Sequence, residues 1–144
     1  MKNLMLLTMW TLFLFTSTAQ GQETKAKQFE NPQWFEIVQV KYKAGQKEKA
    51  QAIIKDHFMA TGMESNLPGP HMMLDLVSGE WDMIFIWELE EGIKTLDFEI
   101  SPTGAKFRDA FMKKVGGEEK AREIWQEYYS YIQDWKTELA RKWE

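Results

Sequence analysis

The sequence predicts an α+β domain: an antiparallel sheet of three or four strands with helices packed on one face. Three observations carry this reading. Residues 34–43 (WFEIVQVKYK) form a β-branched and aromatic run of strand length. Two further runs, 71–77 and 81–89, flank Ser78-Gly79 in the manner of a hairpin. Between and after these runs, apolar residues recur at the three-four spacing of amphipathic helices.

Residues 1–21 read as a secretory signal peptide. Lys2 supplies the positive n-region, residues 5–15 (MLLTMWTLFLF) the apolar h-region, and Ser17, Thr18, Ala19 and Gly21 the small residues before cleavage. Cleavage after Ala19 or after Gly21 suits the peptidase pocket. A membrane anchor needs about 20 apolar residues, and this run is little more than half of that. The expectation is therefore an exported protein, periplasmic or secreted, with no stable membrane anchor. Residues 22–33 are polar and lysine-containing and read as a flexible lead-in, leaving residues 34–144 as a single domain.

After the first strand, Gly45 ends the extended chain and a helix is expected to about Thr61. Its buried stripe is Ala50, Ile53, Ile54, His57 and Phe58. Residues 62–70 hold two glycines and two prolines and read as a loop. For the hairpin, a two-residue turn pairs Val77 with Glu80, Asp75 with Asp82, Met73 with Ile84 and His71 with Ile86. One face then carries Met72, Leu74, Leu76, Trp81, Met83, Phe85, Trp87 and Leu89, all apolar. The other carries His71, Met73, Asp75, Val77, Asp82, Ile84, Ile86 and Glu88 and is mixed, as suits a cleft or a second packing surface.

Residues 93–100 have no clear type. Ser101-Pro102 is a helix start, with serine as cap and proline in the first turn. That helix directs Phe107, Ala110 and Phe111 inward and stops at Gly116-Gly117. A longer helix is expected over residues 118–141, striped by Ala121, Trp125, Tyr128, Ile132, Trp135 and Leu139. Residues 128–136 also read as a strand, and the pattern leaves both open.

The chain has no cysteine, which excludes disulfides, thiolate metal sites and cysteine nucleophiles. Its formal charge is −4, and losing the signal removes only Lys2, so no basic face is expected and nucleic acid is not an expected partner. Aromatic residues make up 14% of the chain, more than a minimal core requires, and suggest an oligomer interface or a ligand cleft.

Candidate chemistry centres on Asp75 opposite Asp82. In the expected register their Cβ atoms lie about 5 Å apart, close enough to act as acid and base or to hold a hard cation such as Ca²⁺ or Mg²⁺, unless Lys41 on the neighbouring strand neutralises them. His71 stands about 13 Å along the strand from Asp75, so a direct His-Asp pair fails on geometry. On the same face, Met73, Ile84 and Ile86 form apolar walls for a ligand. His57, on the buried stripe of the first helix, is a second candidate ligand contact. No spacing of a recognised metal motif occurs, and neither metal nor cofactor is expected.

The stretch IVQVKYKAGQKEKAQAIIKDHF (residues 37–58) and the hairpin strand SGEWDMIFIWEL (residues 78–89) resemble the opening and the central hairpin of dimeric α+β barrel domains. These are ferredoxin-like, and the chain is most similar to NIPSNAP-like and antibiotic-biosynthesis-monooxygenase-like members. The resemblance implies a homodimer whose two sheets face each other, burying the mixed face. The family's closing fourth strand falls where this chain reads more readily as helix.

Two function classes follow. The first is a homodimeric binding or interaction module with an apolar cleft for a small apolar or aromatic ligand. The second, implied by the resemblance, is a small cofactor-independent monooxygenase-like enzyme, with His71 orienting the substrate and Asp75 and Asp82 as the acid/base pair. A haem-binding variant, with His71 or His57 as axial ligand, is a third.

Overall fold

The computed structural model describes residues 25–143; the proposed signal sequence lies outside them. Residues 25–30 carry neither helix nor strand, and the described residues from 31 onward belong to one compact unit. Strand β1, Trp34–Tyr42, is followed by a turn in which Gly45 takes φ +72°. The next helix runs on without a break as α1 (Lys47–Ile53), a π-helical stretch (Ile54–Met59) and α2 (Ala60–Glu64). Then come β2 (Met72–Asp75), β3 (Met83–Glu88), a 3₁₀ helix (Gly92–Asp97), α3 (Pro102–Val115), α4 (Glu118–Tyr131) and β4 (Ile132–Arg141).

The strands form one antiparallel sheet in the order β2-β3-β1-β4. Two split strand–helix–strand units interlock in this order, each leaving room for one strand of the other, which is the ferredoxin-like arrangement. The core joins Val40, Tyr42, Met83 and Phe85 of the sheet to Ala50, Ile53 and Ile54 of the first helix and Tyr128 of α4. In the observed register these four sheet residues share one face, so the helices pack on that face.

The expected helix boundaries around α3 hold for the stated reasons. Ser101 Oγ accepts from the Gly104 N–H at 3.0 Å, Pro102 occupies the first turn, and Phe111 is buried. Gly116 and Gly117, at φ +95° and +127°, both donate to the Met112 carbonyl and stop the helix.

Two expectations are corrected. The hairpin has no two-residue turn: the connection spans residues 76–82, closed by the Leu76 N–H on the Asp82 carbonyl at 2.9 Å. Asp82 is anchored instead to β1, donating its N–H to the Val40 carbonyl and accepting the Tyr42 N–H at 2.7 Å. The start of β3 is therefore set by β1. Register slips by one, pairing Met73 with Phe85 and Asp75 with Met83. Because side chains alternate, Met73 and Asp75 turn to the helix side, and Met72 and Leu74 join Ile84 and Ile86 on the other face.

The second correction concerns the C-terminus. Helix α4 ends at Tyr131, and residues 132–141 pair with β1 from Trp34–Arg141 to Tyr42–Ile132, with a bulge where Lys41 and Tyr42 change partners. Ile132, Trp135 and Leu139 fit a helical stripe, but a helix there would leave the edge of β1 without hydrogen bonds. The long-range pairing outweighs the local pattern.

Candidate functional site

The face opposite the helices has two halves. Strands β1, β3 and β2 contribute Phe35, Ile37, Ile84, Ile86, Met72 and Leu74, the last two 46% and 40% exposed. Strand β4 contributes a polar half in which Gln39 of β1 donates to Glu138 at 2.9 Å and Lys136 pairs with the same carboxylate at 2.9 Å. Thus an apolar patch is bordered on one side by paired charges.

His71 precedes β2 and packs edge-to-face with Phe35, centroids 5.5 Å apart, at the border of the apolar half. Ile84 and Ile86 lie on this face as expected, but Met73 does not: it packs against the helix-side core. Lys41 also belongs to the open face by register, opposite Asp134 of β4. His57 lies half-buried in the π-helical stretch, where the buried Thr61 hydroxyl donates to its carbonyl at 2.7 Å. The expected ligand set is thus divided between the two faces of the sheet.

The carboxylate pair does not form. Asp75 meets Lys47 of α1 at 2.7 Å and accepts weakly from Gln51 at 3.4 Å, while Asp82 holds the backbone of Tyr42. Lys47, rather than Lys41, neutralises Asp75. With separate partners the two acids have no shared proton to exchange. Among the described residues no group of three or more His, Asp or Glu side chains is placed to hold a metal ion.

Beneath the sheet, the hydroxyls of Tyr42 and Tyr128 lie 3.3 Å apart, with the Met83 sulfur 3.7 Å from that of Tyr42. Burial raises both phenol pKa values, and the hydrogen bond to Tyr128 raises that of Tyr42 further. Both phenols stay neutral across the physiological range.

A groove of about 410 Å³ lies elsewhere, between α3 and α4, lined by Arg108, Phe111, Met112, Glu118, Ala121, Arg122, Trp125 and Tyr129. It contains none of the candidate site residues, although Phe111, Ala121 and Trp125 belong to the helical stripes expected from the sequence. Trp125 and Tyr129 sit one turn apart on α4, and Arg108 and Phe111 three residues apart on α3, so the helical stripe was the available signal. What the stripe lacked was the distance between the two helices.

No family model matches the sequence, and no curated protein matches it. Among solved structures, a NIPSNAP family protein of unknown function from Agrobacterium tumefaciens strain C58 superposes with TM-score 0.54 at 14% identity, covering 81% of this chain and 94% of that one. The fold is that of NIPSNAP family proteins. A second such protein from the same strain gives TM-score 0.51 at 12% identity, over 75% of this chain and 90% of its own. At these identities the likeness is one of fold, and it agrees with the strand order and the one-sided helix layer.

Proposed function

We propose that the mature chain is an exported homodimeric interaction module whose two sheets meet through the open face. One observation carries this reading: the apolar half of that face is contiguous across three strands, and its outer members Met72 and Leu74 remain 46% and 40% exposed in the single chain. Contiguous exposed apolar residues on a sheet face mark contact surfaces. A two-fold pairing brings the patch against its own copy and leaves the charged β4 half as a polar rim. The NIPSNAP-like resemblance supports the same reading, since it implies facing sheets. The separate partners of Asp75 and Asp82 lend no support to acid/base catalysis.

Sedimentation velocity on residues 22–144 tests the proposal. A dimer mass at micromolar concentration is the expected result; a monomer at every concentration up to the solubility limit refutes it. Export is checked separately, by the N-terminal sequence of protein recovered outside the cytoplasm, which is expected to begin at Gln20 or Gln22.

A further inference from the structure

The groove between α3 and α4 is built differently from the open sheet face. Its floor is Phe111, 1% exposed, and Ala121, 6% exposed. Its wall is an aromatic platform in which Tyr129 stacks on Trp125 at 5.6 Å with 23° between the planes. Trp125 in turn stacks on Phe58 at 4.1 Å and 21°, so the core fixes the platform while Tyr129 stays 58% exposed. The rim carries two guanidinium groups. Arg108 stands 3.6 Å from Glu118 and Arg122 stands 3.8 Å from Glu119. Both separations exceed the roughly 2.7–2.9 Å of a charge-assisted hydrogen bond, so neither glutamate engages its arginine closely. With Glu119 counted beside Glu118, the two guanidinium groups meet two exposed carboxylates; surface pairs of this kind contribute about 0–1 kcal/mol each, so a ligand carboxylate that reaches both arginines at shorter distance displaces them.

We infer that this groove binds a flat aromatic anion, with its ring on the Trp125–Tyr129 platform and its carboxylate on Arg108 and Arg122. The chemistry of each part selects that class. Stacked indole and phenol rings favour a planar π system over an aliphatic one. Guanidinium forks match a carboxylate in two parallel hydrogen bonds and give a cation nothing to bind. The volume suits one small ligand. This site is independent of the sheet-face interface.

The test uses residues 22–144 with 2-naphthoate as the probe and 2-naphthalenemethanol as its uncharged counterpart, followed by ligand-observed NMR and titration calorimetry. Naphthoate is expected to bind about tenfold or more tightly than the alcohol, the least that charged hydrogen bonds contribute. Arg108→Gln with Arg122→Gln lowers naphthoate affinity to that of the alcohol and leaves the alcohol unchanged. Tyr129→Ala weakens both probes. Glu118→Gln, by removing the competing carboxylate, tightens naphthoate alone. The arginines are more than half exposed, so these variants keep the fold, as circular dichroism would verify. If the double variant nonetheless fails to fold, Arg122→Gln and Tyr129→Ala carry the same test singly. Equal binding of the two probes, indifference to the arginine substitutions, loss of binding in Ile86→Asp on the sheet face, or no binding at millimolar probe each overturns the inference.

Discussion

Two neighbouring residues on β3 should behave in opposite ways when altered. Ile86 pairs with Ile37 and Met72 at the centre of the open face, whereas Phe85, 8% exposed, points into the helix-side core. Full burial of an isoleucine stabilises by about 1.5–3 kcal/mol relative to exposure. Ile86 is already half-buried in the single chain, so the lower end of that range applies. In the homodimer proposed above each side chain counts twice, which makes Ile86→Asp cost about 3 kcal/mol before any penalty for burying the new carboxylates. At 1.4 kcal/mol per tenfold, the dimer dissociation constant rises by about 100-fold or more. Folding of the single chain changes little, because Ile86 is outside the core cluster. Phe85→Ala, by contrast, lowers folding stability by about 3–5 kcal/mol through lost burial and a residual cavity. Sedimentation equilibrium measures the first effect. Urea unfolding at protein concentrations below the dissociation constant measures the second, since association otherwise adds to apparent stability. If Ile86→Asp unfolds the chain while Phe85→Ala leaves it stable, the assignment of faces is wrong. If Ile86→Asp leaves the dimer intact, the interface lies elsewhere.

The remaining predictions concern the acids, the tyrosines and the last strand. Asp82→Ala leaves the Tyr42 N–H without its acceptor and should cost about 1–3 kcal/mol in urea unfolding, whereas Asp75→Asn, at a half-exposed ion pair, should cost less than about 1 kcal/mol; equal losses would mean the two acids share one environment. Tyr42 and Tyr128 keep their protons to higher pH when folded than the roughly pH 10 at which an unfolded tyrosine ionises. Their contribution is therefore complete below pH 10 and is lost above it, at up to about 1.4 kcal/mol per pH unit for each group. Urea midpoints at pH 9 and 11 should converge between wild type and Tyr42→Phe as pH rises, and an unchanged gap would refute the linkage. Truncation after Tyr131 removes the partner of β1 along its whole length and should abolish the cooperative thermal transition seen by circular dichroism; a chain that still melts cooperatively would show that β4 is dispensable.

Features set by local chemistry could be read directly from the residues. Ser101-Pro102 begins a helix because a hydroxyl and a ring with no N–H suit the same few positions of the first turn, and Gly116-Gly117 ends it because both need positive φ. The pattern of β1 gave its strand, and Ala50, Ile53 and Ile54 are the buried positions of the helix that follows. Together these place the chain in the correct fold class and permit the NIPSNAP-like resemblance. The faces of β3 were equally legible, since Met83 and Phe85 alternate with Ile84 and Ile86.

Features set by pairing across the chain were not legible. Whether Met72 or Met73 meets the core depends on one residue of register, decided by the grip of Asp82 on β1 rather than by the Ser78-Gly79 dipeptide. That single slip dissolves the Asp75–Asp82 pair and makes the open face more apolar than the sequence suggested. Ile132, Trp135 and Leu139 satisfy helix and strand spacing alike, and only the free edge of β1 chooses between them. The α3–α4 groove depends on two helices that Gly116 and Gly117 fold back on each other, so its arginines and aromatics meet in space without a motif in sequence. Sequence by itself thus determined the elements and their order, because caps, turns and periodicity act within a few residues. Tertiary structure alone decided register, the last strand and the groove, because each is chosen by hydrogen bonds or contacts between distant segments.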